Sequence, residues 1–465
     1  MKAQGDFRTR ASPLLGSPAA RAIRNGTDRF AAQREEVIAE YGVMDVMRDR
    51  ATEIRRHTIR HLDYYLARFA ENVENAGGQV HLAQSAADAG QIVNRLAGSG
   101  GQLVIKSKSM VSEEVDLNRA LESKGHEVVE TDLGEFIIQI AGDTPSHIIA
   151  PGMHMTRFQI GELFRDQLQV PYTDVPTEIN QIARVHLRQI FLSADVGITG
   201  VNFGVAESGS LVTVTNEGNA RLTSTAPRIH IALMGIERLV PGFGDLAVML
   251  EVLARSATGQ RLSAYTNIIT GPRRPGEPDG PEQLHVVLVD NGRSEILDGP
   301  FEDILTCIRC GACLNVCPVY RQTGGHGYGS VYSGPFGAVL TPLLGGPDWG
   351  DLAYASTLCG ACLEVCPVRI DIPHLLLALR SEEAGADRIP GQVARPVRWF
   401  SRSAMSVSRF ARMWRVLRLV SRPLTRHNSI RRLPGPGRNW TRHRNLRRLP
   451  AKSFRQQWKE EHGDR

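Results

Sequence analysis

The stretch GGQVHLAQSAADAGQIVNRLAGSGGQLVIKSKSMVSEEVDLNRALESKGHEVVETD, residues 77–132, carries the reading of the fold. Three short β-rich runs, GGQVHLA, QLVIKS and HEVVETD, alternate with AADAGQIVNRLA and SEEVDLNRALESKG, whose apolar residues recur at helical spacing. A strand that returns parallel to its predecessor needs a helical crossover, so this alternation predicts an α/β domain with a substantially parallel sheet. After a further helical stretch, SHIIAP (146–151) reads as another short strand.

Downstream, ADVGITGVNFGVAESGSLVTVTNEGNARLTSTAPRIHIALMG (194–235) is Gly-rich and β-branched, with turn signals at Asn216–Gly218. It reads as β-hairpins feeding a buried strand, RIHIALMG. GPRRPGEPDGPE (271–282) is a Pro/Gly loop and LHVVLVD one more strand, so the α/β unit is expected over 70–295. Upstream, Phe30, Val37, Ile38, Tyr41 and Val43 give a broken helical period, and one or two N-terminal helices, continued by HLDYYLARFAENVENA (61–76), are expected over 28–76. Residues 1–69 form this helical lead-in.

At 465 residues the chain has room for about three units at roughly 150 residues each. Its 42% apolar and 22% charged residues exclude collagen-like, wholly disordered and disulfide-scaffold classes. No apolar run is long enough to cross a bilayer as a helix. The first 26 residues lack the apolar core of a secretory signal; their Arg, Ser and Ala content leaves a transit peptide as a second reading, and a cytoplasmic protein is expected. The net charge of +6 conceals an uneven distribution. Residues 395–465 hold 20 Lys and Arg against 3 Asp and Glu, a net +17, which leaves the rest of the chain at −11. Within this extension, expected over 391–465, VRWFSRSAMSVSRFARMWRVLRLV (397–420) spaces Arg409, Arg412, Arg415 and Arg418 every three residues between apolar positions. A basic amphipathic helix of this kind suits an anionic membrane surface or an acidic partner; a solvated, partly disordered tail is the plainer reading. No nucleic-acid-binding motif accompanies the charge, and no nucleic acid is expected as a partner.

All seven cysteines lie between Cys307 and Cys366. The segment contains a repeat, CGACLNVCPV at 310–319 and CGACLEVCPV at 359–368, matching at nine of ten positions. Between the copies, TGGHGYGSVYSGPFG is expected to be mostly loop. The first copy extends to Cys307-x-x-Cys310-x-x-Cys313-x-x-x-Cys317-Pro318, the spacing that holds iron–sulfur clusters, with the fourth cysteine of each run serving the other cluster. Gly311 and Gly360 leave room for the backbone to approach inorganic sulfide. Zinc would need four cysteines, usually as two separated Cys-x-x-Cys pairs, and gives no reason for the third cysteine or for the trailing Cys-Pro. Two clusters, of the four-iron type, are therefore expected over 296–390. By the crossed rule, cluster 1 takes Cys307, Cys310, Cys313 and Cys366. Cluster 2 takes Cys317, Cys359 and Cys362, because Ser356 stands where a full second run would have its first cysteine. Its fourth site could be filled by the Ser356 oxygen, by another group, or left open; a three-iron cluster, or a Ser356 that merely packs nearby, fits equally. Such clusters pass single electrons, whereas oxidising a hydroxy acid removes two. The chain has neither a G-x-G-x-x-G after a strand nor a P-loop, so it reads as an electron conduit lacking a two-electron centre.

These residues resemble the iron–sulfur subunits of bacterial L-lactate utilisation systems. The resemblance spans about 20–390 and rests on GVNFGVAESGSLVTVTNEGN, TGPRRPGEPDGPEQLHVVLVDNGRS and the paired CGACL-x-VCPV copies. It implies a LUD domain with a NagB/RpiA/CoA-transferase-like α/β fold, followed by a mainly α-helical, dicluster ferredoxin-like domain. It also implies cytoplasmic work with companion subunits in oxidising L-lactate to pyruvate, and is itself similar in leaving three cysteines to the second cluster. No catalytic residue is identifiable. Ligand sensing with structural or redox-sensing clusters, and the same electron-transfer role for glycolate or another 2-hydroxy acid, are the alternatives.

Five further residues draw a reading. Lys106 and Lys108 follow the strand QLVIKS, at the carboxyl end where α/β sheets bind ligands, and could hold a carboxylate; basic residues there are more often solvated. Glu207 in GVAESGS is a catalytic candidate by fold analogy alone. His154 and His326 read as lone loop histidines.

Overall fold

The computed structural model describes residues 5–385, 391–426, 428–435, 438, 441 and 444–463. They fall into two compact units, Met1–Glu382 and Glu383–Arg465.

In the first unit, six strands form one parallel sheet. They are β1 (Gln79–Ala83), β2 (Leu103–Lys106), β3 (Glu127–Glu130), β4 (Val196–Gly200), β7 (Ile229–Gly235) and β10 (Gln283–Val289), in the order β1-β10-β7-β4-β2-β3. All five pairings are parallel, with Ile229 opposite Gln283 and Gly235 opposite Val289 in the β10–β7 pair. Every residue of β7 is buried, as expected for a strand covered on both faces. Alternate residues serve opposite sides. Val104, Val196, Ile198, Ile231, Leu233 and Val287 share one core with the helices Ala86–Ala97 and Leu117–Glu122. Ala232, Met234, Val286 and Leu288 pack instead on Leu62, Tyr65 and Phe69 of the helix Leu62–Asn75. The α/β expectation with a parallel core therefore holds.

A second, four-stranded sheet is grafted onto the first. Its strands are β5 (Phe203–Val205), β6 (Ser210–Thr215), β8 (Leu239–Val240) and β9 (Tyr265–Ile269), ordered β8-β5-β6-β9. β5 and β6 form an antiparallel hairpin that turns at 206–209, whereas the turn at Asn216–Gly218 leads into the helix Asn219–Thr225, and β9 pairs antiparallel with β6.

Three expectations are corrected. SHIIAP forms no strand: the ring Nδ1 of His147 accepts the amides of Ile149 at 3.0 Å and Ala150 at 3.2 Å, bending the chain into a loop. The lead-in has three long helices, Pro18–Tyr41, Met44–Arg60 and Leu62–Asn75, the first capped by Ser17 and ended by Gly42 at φ 69°. The insert between the cysteine copies is largely helical, in Tyr320–Tyr328 and Gly334–Gly345, with a kink at Gly324. Its glycines mark close packing more than looseness: a Cβ on Gly325 would collide with the carbonyl of Ser146, and one on Gly337 with that of Tyr332.

The second unit has helices Gly391–Ala404, Val407–Ser421 and Phe454–His462, and three two-residue strands in antiparallel pairing. The single helix expected over 397–420 is broken at Met405–Ser406. The expected boundary at 390/391 adjoins residues 386–390, which lie outside the described residues.

Candidate functional site

The two cysteine copies fold alike. Arg309 (φ 60°) and Gly311 (φ 76°) take left-handed conformations in the first, and Leu358 (φ 55°) and Gly360 (φ 86°) do so in the second. Each loop then enters a five-residue helix, Ala312–Val316 or Ala361–Val365, and leaves it extended at Cys317 or Cys366. Left-handed turns before and after the second cysteine curl the loop, and a side chain other than glycine at φ > 0 is sparsely populated unless its surroundings impose it.

The loops bring Cys307, Cys310, Cys313 and Cys366 to the wall of one small cavity, closed by Ile148, Ile308, Phe336, Val368, Ile370 and Ile372. The second copy thus contributes Cys366 to a pocket otherwise built by the first. Cys317, Cys359 and Cys362 stand apart from that cavity. Cys359 is exposed, whereas Cys310, Cys317, Cys362 and Cys366 are buried. Burial pushes the Cys366 thiol up to about 11, with Cys307 adding to the effect. It pushes Cys362 up to about 12, with Cys317 and Cys359 adding. Backbone amides already address the sulfurs: Arg309 N–H donates to Cys307 Sγ at 3.4 Å, Tyr320 N–H to Cys317 Sγ at 3.5 Å, and Ile370 N–H to Cys366 Sγ at 3.4 Å. Thiols this buried hold their protons unless a metal replaces them, and amides aimed at sulfur stabilise anionic thiolate. The donor set, its depth and its amide shell fit an iron–sulfur cluster.

Arginines from elsewhere fasten the loops. On the helix Met44–Arg60, Arg48 donates to the carbonyls of Cys366 at 3.0 Å and Glu364 at 2.7 Å. Seven residues on, fully buried Arg55 donates to the carbonyls of Glu237, Leu239, Leu305 and Thr306. Arg34 reaches Val365 O at 3.2 Å and Arg238 reaches Cys307 O at 2.9 Å. Arg309 pairs with Glu237 at 2.9 Å and lies over the rings of Tyr332 and Phe336. Sequence reading missed these side chains. The available signal was the position of Arg48 and Arg55 on the buried face of an amphipathic helix. The SHIIAP loop also leans on this region, with His147 Nε2 3.0 Å from Asn315 Oδ1 in the first cysteine helix.

The remaining candidates resolve individually. Lys106 is not solvated: it is buried and paired with Glu130 at 2.8 Å. The Lys108 ammonium is buried without a hydrogen-bond partner. Glu207 Oε1 accepts the amide of Phe243 at 2.8 Å, at the start of the helix Phe243–Thr258, which is a capping role. His154 and His326 are not lone. Their rings lie 4.6 Å apart, and His154 Nε2 stands 3.1 Å from Asp143 Oδ2. Ser146 Oγ takes the other ring nitrogen of His154, and Thr144 O meets His326 Nε2, so these rings are spent on one another's surroundings. Among the described residues no helix is long and apolar enough to cross a membrane.

Residues 66–289 match the LUD domain family and residues 303–370 the 4Fe-4S dicluster domain family. The fold and the cysteine loops together define a LUD-domain iron–sulfur protein. The chain is 47% identical to lactate utilization protein B of Bacillus licheniformis, over 98% of this chain and 96% of that one. It is 45% identical to lactate utilization protein B of Bacillus subtilis, over 93% and 92%. An Escherichia coli protein described as the uncharacterized electron transport protein YkgF is 46% identical over 81% and 80%. The chain belongs to the lactate utilization protein B family. A crystal structure of a DUF162 family protein from Deinococcus radiodurans aligns with 49% of this chain and 98% of that one, at 14% identity and a TM-score of 0.28.

Proposed function

We propose that this chain is the iron–sulfur electron-transfer subunit of a cytoplasmic complex that oxidises L-lactate to pyruvate, with companion subunits supplying the two-electron centre and onward transfer. The observation that carries the reading is the meeting of Cys307, Cys310, Cys313 and Cys366, drawn from both copies, around one cavity. These four would hold one four-iron cluster. Cys317, Cys359 and Cys362 would hold a second, with Ser356 the candidate for its fourth ligand. Such clusters supply one-electron carriers. What the protein adds is burial, amide donors and the arginine setting.

On this reading, residues 1–69 are a helical brace, 70–295 the LUD domain, 296–390 a mainly α-helical, ferredoxin-like dicluster domain, and 391–465 a basic extension. The six-stranded parallel sheet supports assigning the LUD domain to the NagB/RpiA/CoA-transferase-like group. In the extension, Val397, Trp399, Phe400, Val416 and Leu419 are each at least half exposed among the arginines. That combination favours contact with an anionic membrane surface or an acidic partner.

The test is anaerobic reconstitution of the purified chain, followed by iron and sulfide analysis and electron paramagnetic resonance after reduction. Two interacting cluster signals are expected. Stoichiometric zinc with neither iron nor sulfide would overturn the reading.

A further inference from the structure

A second cavity, of about 290 Å³, lies at the carboxyl ends of β2, β4 and β7, between Lys108, Gly200 and Gly235 of the sheet and Arg309 and Tyr332 of the cysteine region. Open parallel sheets place ligands at this edge, where side chains following several strands converge. Ile148 and Arg309 line both this cavity and the four-cysteine cavity, so one layer of side chains separates the two.

The lining mixes polar and apolar side chains, and its cations are unevenly satisfied. Arg293 is taken by Glu114 and Glu237, each at 2.7 Å, and Arg238 by the carbonyls of Asn202 and Cys307. Of the acids, Asp132 accepts the amides of Gly134 and Glu135, Glu217 accepts that of Leu133, and Glu237 is held between Arg293 and Arg309. Three buried groups of the lining keep an unmet hydrogen-bonding atom: Lys108 Nζ, Arg309 Nη1 and Ser107 Oγ. A buried donor without an acceptor is costly, the more so when it is charged, so these atoms favour an occupant that accepts. Glu113 and Glu135 face Lys108, and burial pushes both carboxyls upward, Glu135 to about 9. Lys108, Arg238, Arg293 and Arg309 around one space disfavour a cation.

We infer that this cavity binds a small carboxylate, its anionic end between Lys108 and Arg309. The assignment of that carboxylate as a 2-hydroxy or 2-oxo acid, lactate or pyruvate in size, rests on the function proposed above. The anion site rests on the lining alone. The volume accommodates an acid of a few carbons.

The test is isothermal titration of the full, cluster-reconstituted chain with pyruvate, L-lactate and acetate. Pyruvate and lactate are expected to bind more tightly than acetate. Lys108→Gln is expected to weaken pyruvate at least tenfold and Lys108→Arg to retain most of the affinity, with iron content and cluster spectra unchanged. Ser263→Tyr, at a half-buried lining position, is expected to block binding by filling space. Pyruvate affinity unchanged in both Lys108→Gln and Ser263→Tyr, or no binding by a chain with full iron, overturns the site. Acetate bound as tightly as pyruvate overturns the 2-hydroxy or 2-oxo assignment. Lys108-dependent binding by a chain that takes up no iron would keep the anion site and sink the cluster reading instead.

Discussion

The hydroxyl of Ser356 accepts the amide of Leu358 at 3.1 Å, the bond that Cys307 Sγ accepts from Arg309 at 3.4 Å one repeat earlier. Ser356 thus occupies the place of a first cysteine, in a loop whose left-handed turns at Leu358 and Gly360 copy those at Arg309 and Gly311. Ser356→Cys is expected to fold normally and to complete a thiolate set with Cys317, Cys359 and Cys362. Because thiolate is the softer donor for iron, the variant should retain its second cluster longer in air, followed by visible bleaching.

Cys366 belongs by sequence to the second copy and by position to the cavity of the first. Cys366→Ser should therefore perturb the resonance of the cluster assigned to Cys307, Cys310 and Cys313, leaving the other signal in place. Loss confined to the other signal would contradict the crossed arrangement.

Arg55 satisfies four carbonyls with no exposed surface, and burial, with Arg238 adding, lowers its pKa to about 9. Arg55→Leu leaves those acceptors unpaired in the interior, and denaturant unfolding should show a loss of about 3–5 kcal/mol. Arg48→Gln should remove positive charge beside Cys366, so the cluster it serves should become harder to reduce in a redox titration.

Burial raises Glu135 to about 9, with Glu113 adding to the shift. A carboxyl whose folded pKa exceeds its unfolded value favours the fold while protonated. Its contribution is complete below the unfolded value, near 4.5, and is lost as pH rises through about 9. The melting temperature should fall between pH 6 and 9.5, values chosen to bracket roughly that window. Glu135→Gln, which keeps the neutral form at every pH, should flatten that decline, as read by thermal scans of both chains across the range.

The two Arg- and Trp-bearing helices of the second unit should associate with vesicles of anionic phospholipid and not with neutral ones. Trp399, 58% exposed, and Trp414, 39% exposed, provide the fluorescence readout. Changing Arg409, Arg412, Arg415 and Arg418 to Gln should abolish the shift, as should high salt, because the attraction is screened.

Legibility followed the range of the interactions. The sheet strands β2, β3, β7 and β10 were readable because burial writes a local apolar pattern into each of them. β9 was not: its residues are mostly exposed and it exists through pairing with β6, Val212 opposite Ile268. SHIIAP carries a strand-like composition, yet a side chain two to three residues away claims its amides. The glycine-rich insert reads as loop by propensity and folds as helix because its glycines admit neighbouring backbone.

By itself the sequence determined the parallel α/β core, the duplicated cysteine loops and the substitution at Ser356, because each is a matter of spacing within a few residues. Only the tertiary structure decided that Arg34, Arg48 and Arg55 hold the loops, and that Lys108 and Arg309 line one space with unmet donors. Those relations join residues up to 331 positions apart, as Arg34 and Val365 are. They arise when the helices of the lead-in and the edge of the sheet close over the cysteine region, so burial alone turns separate charges into one environment.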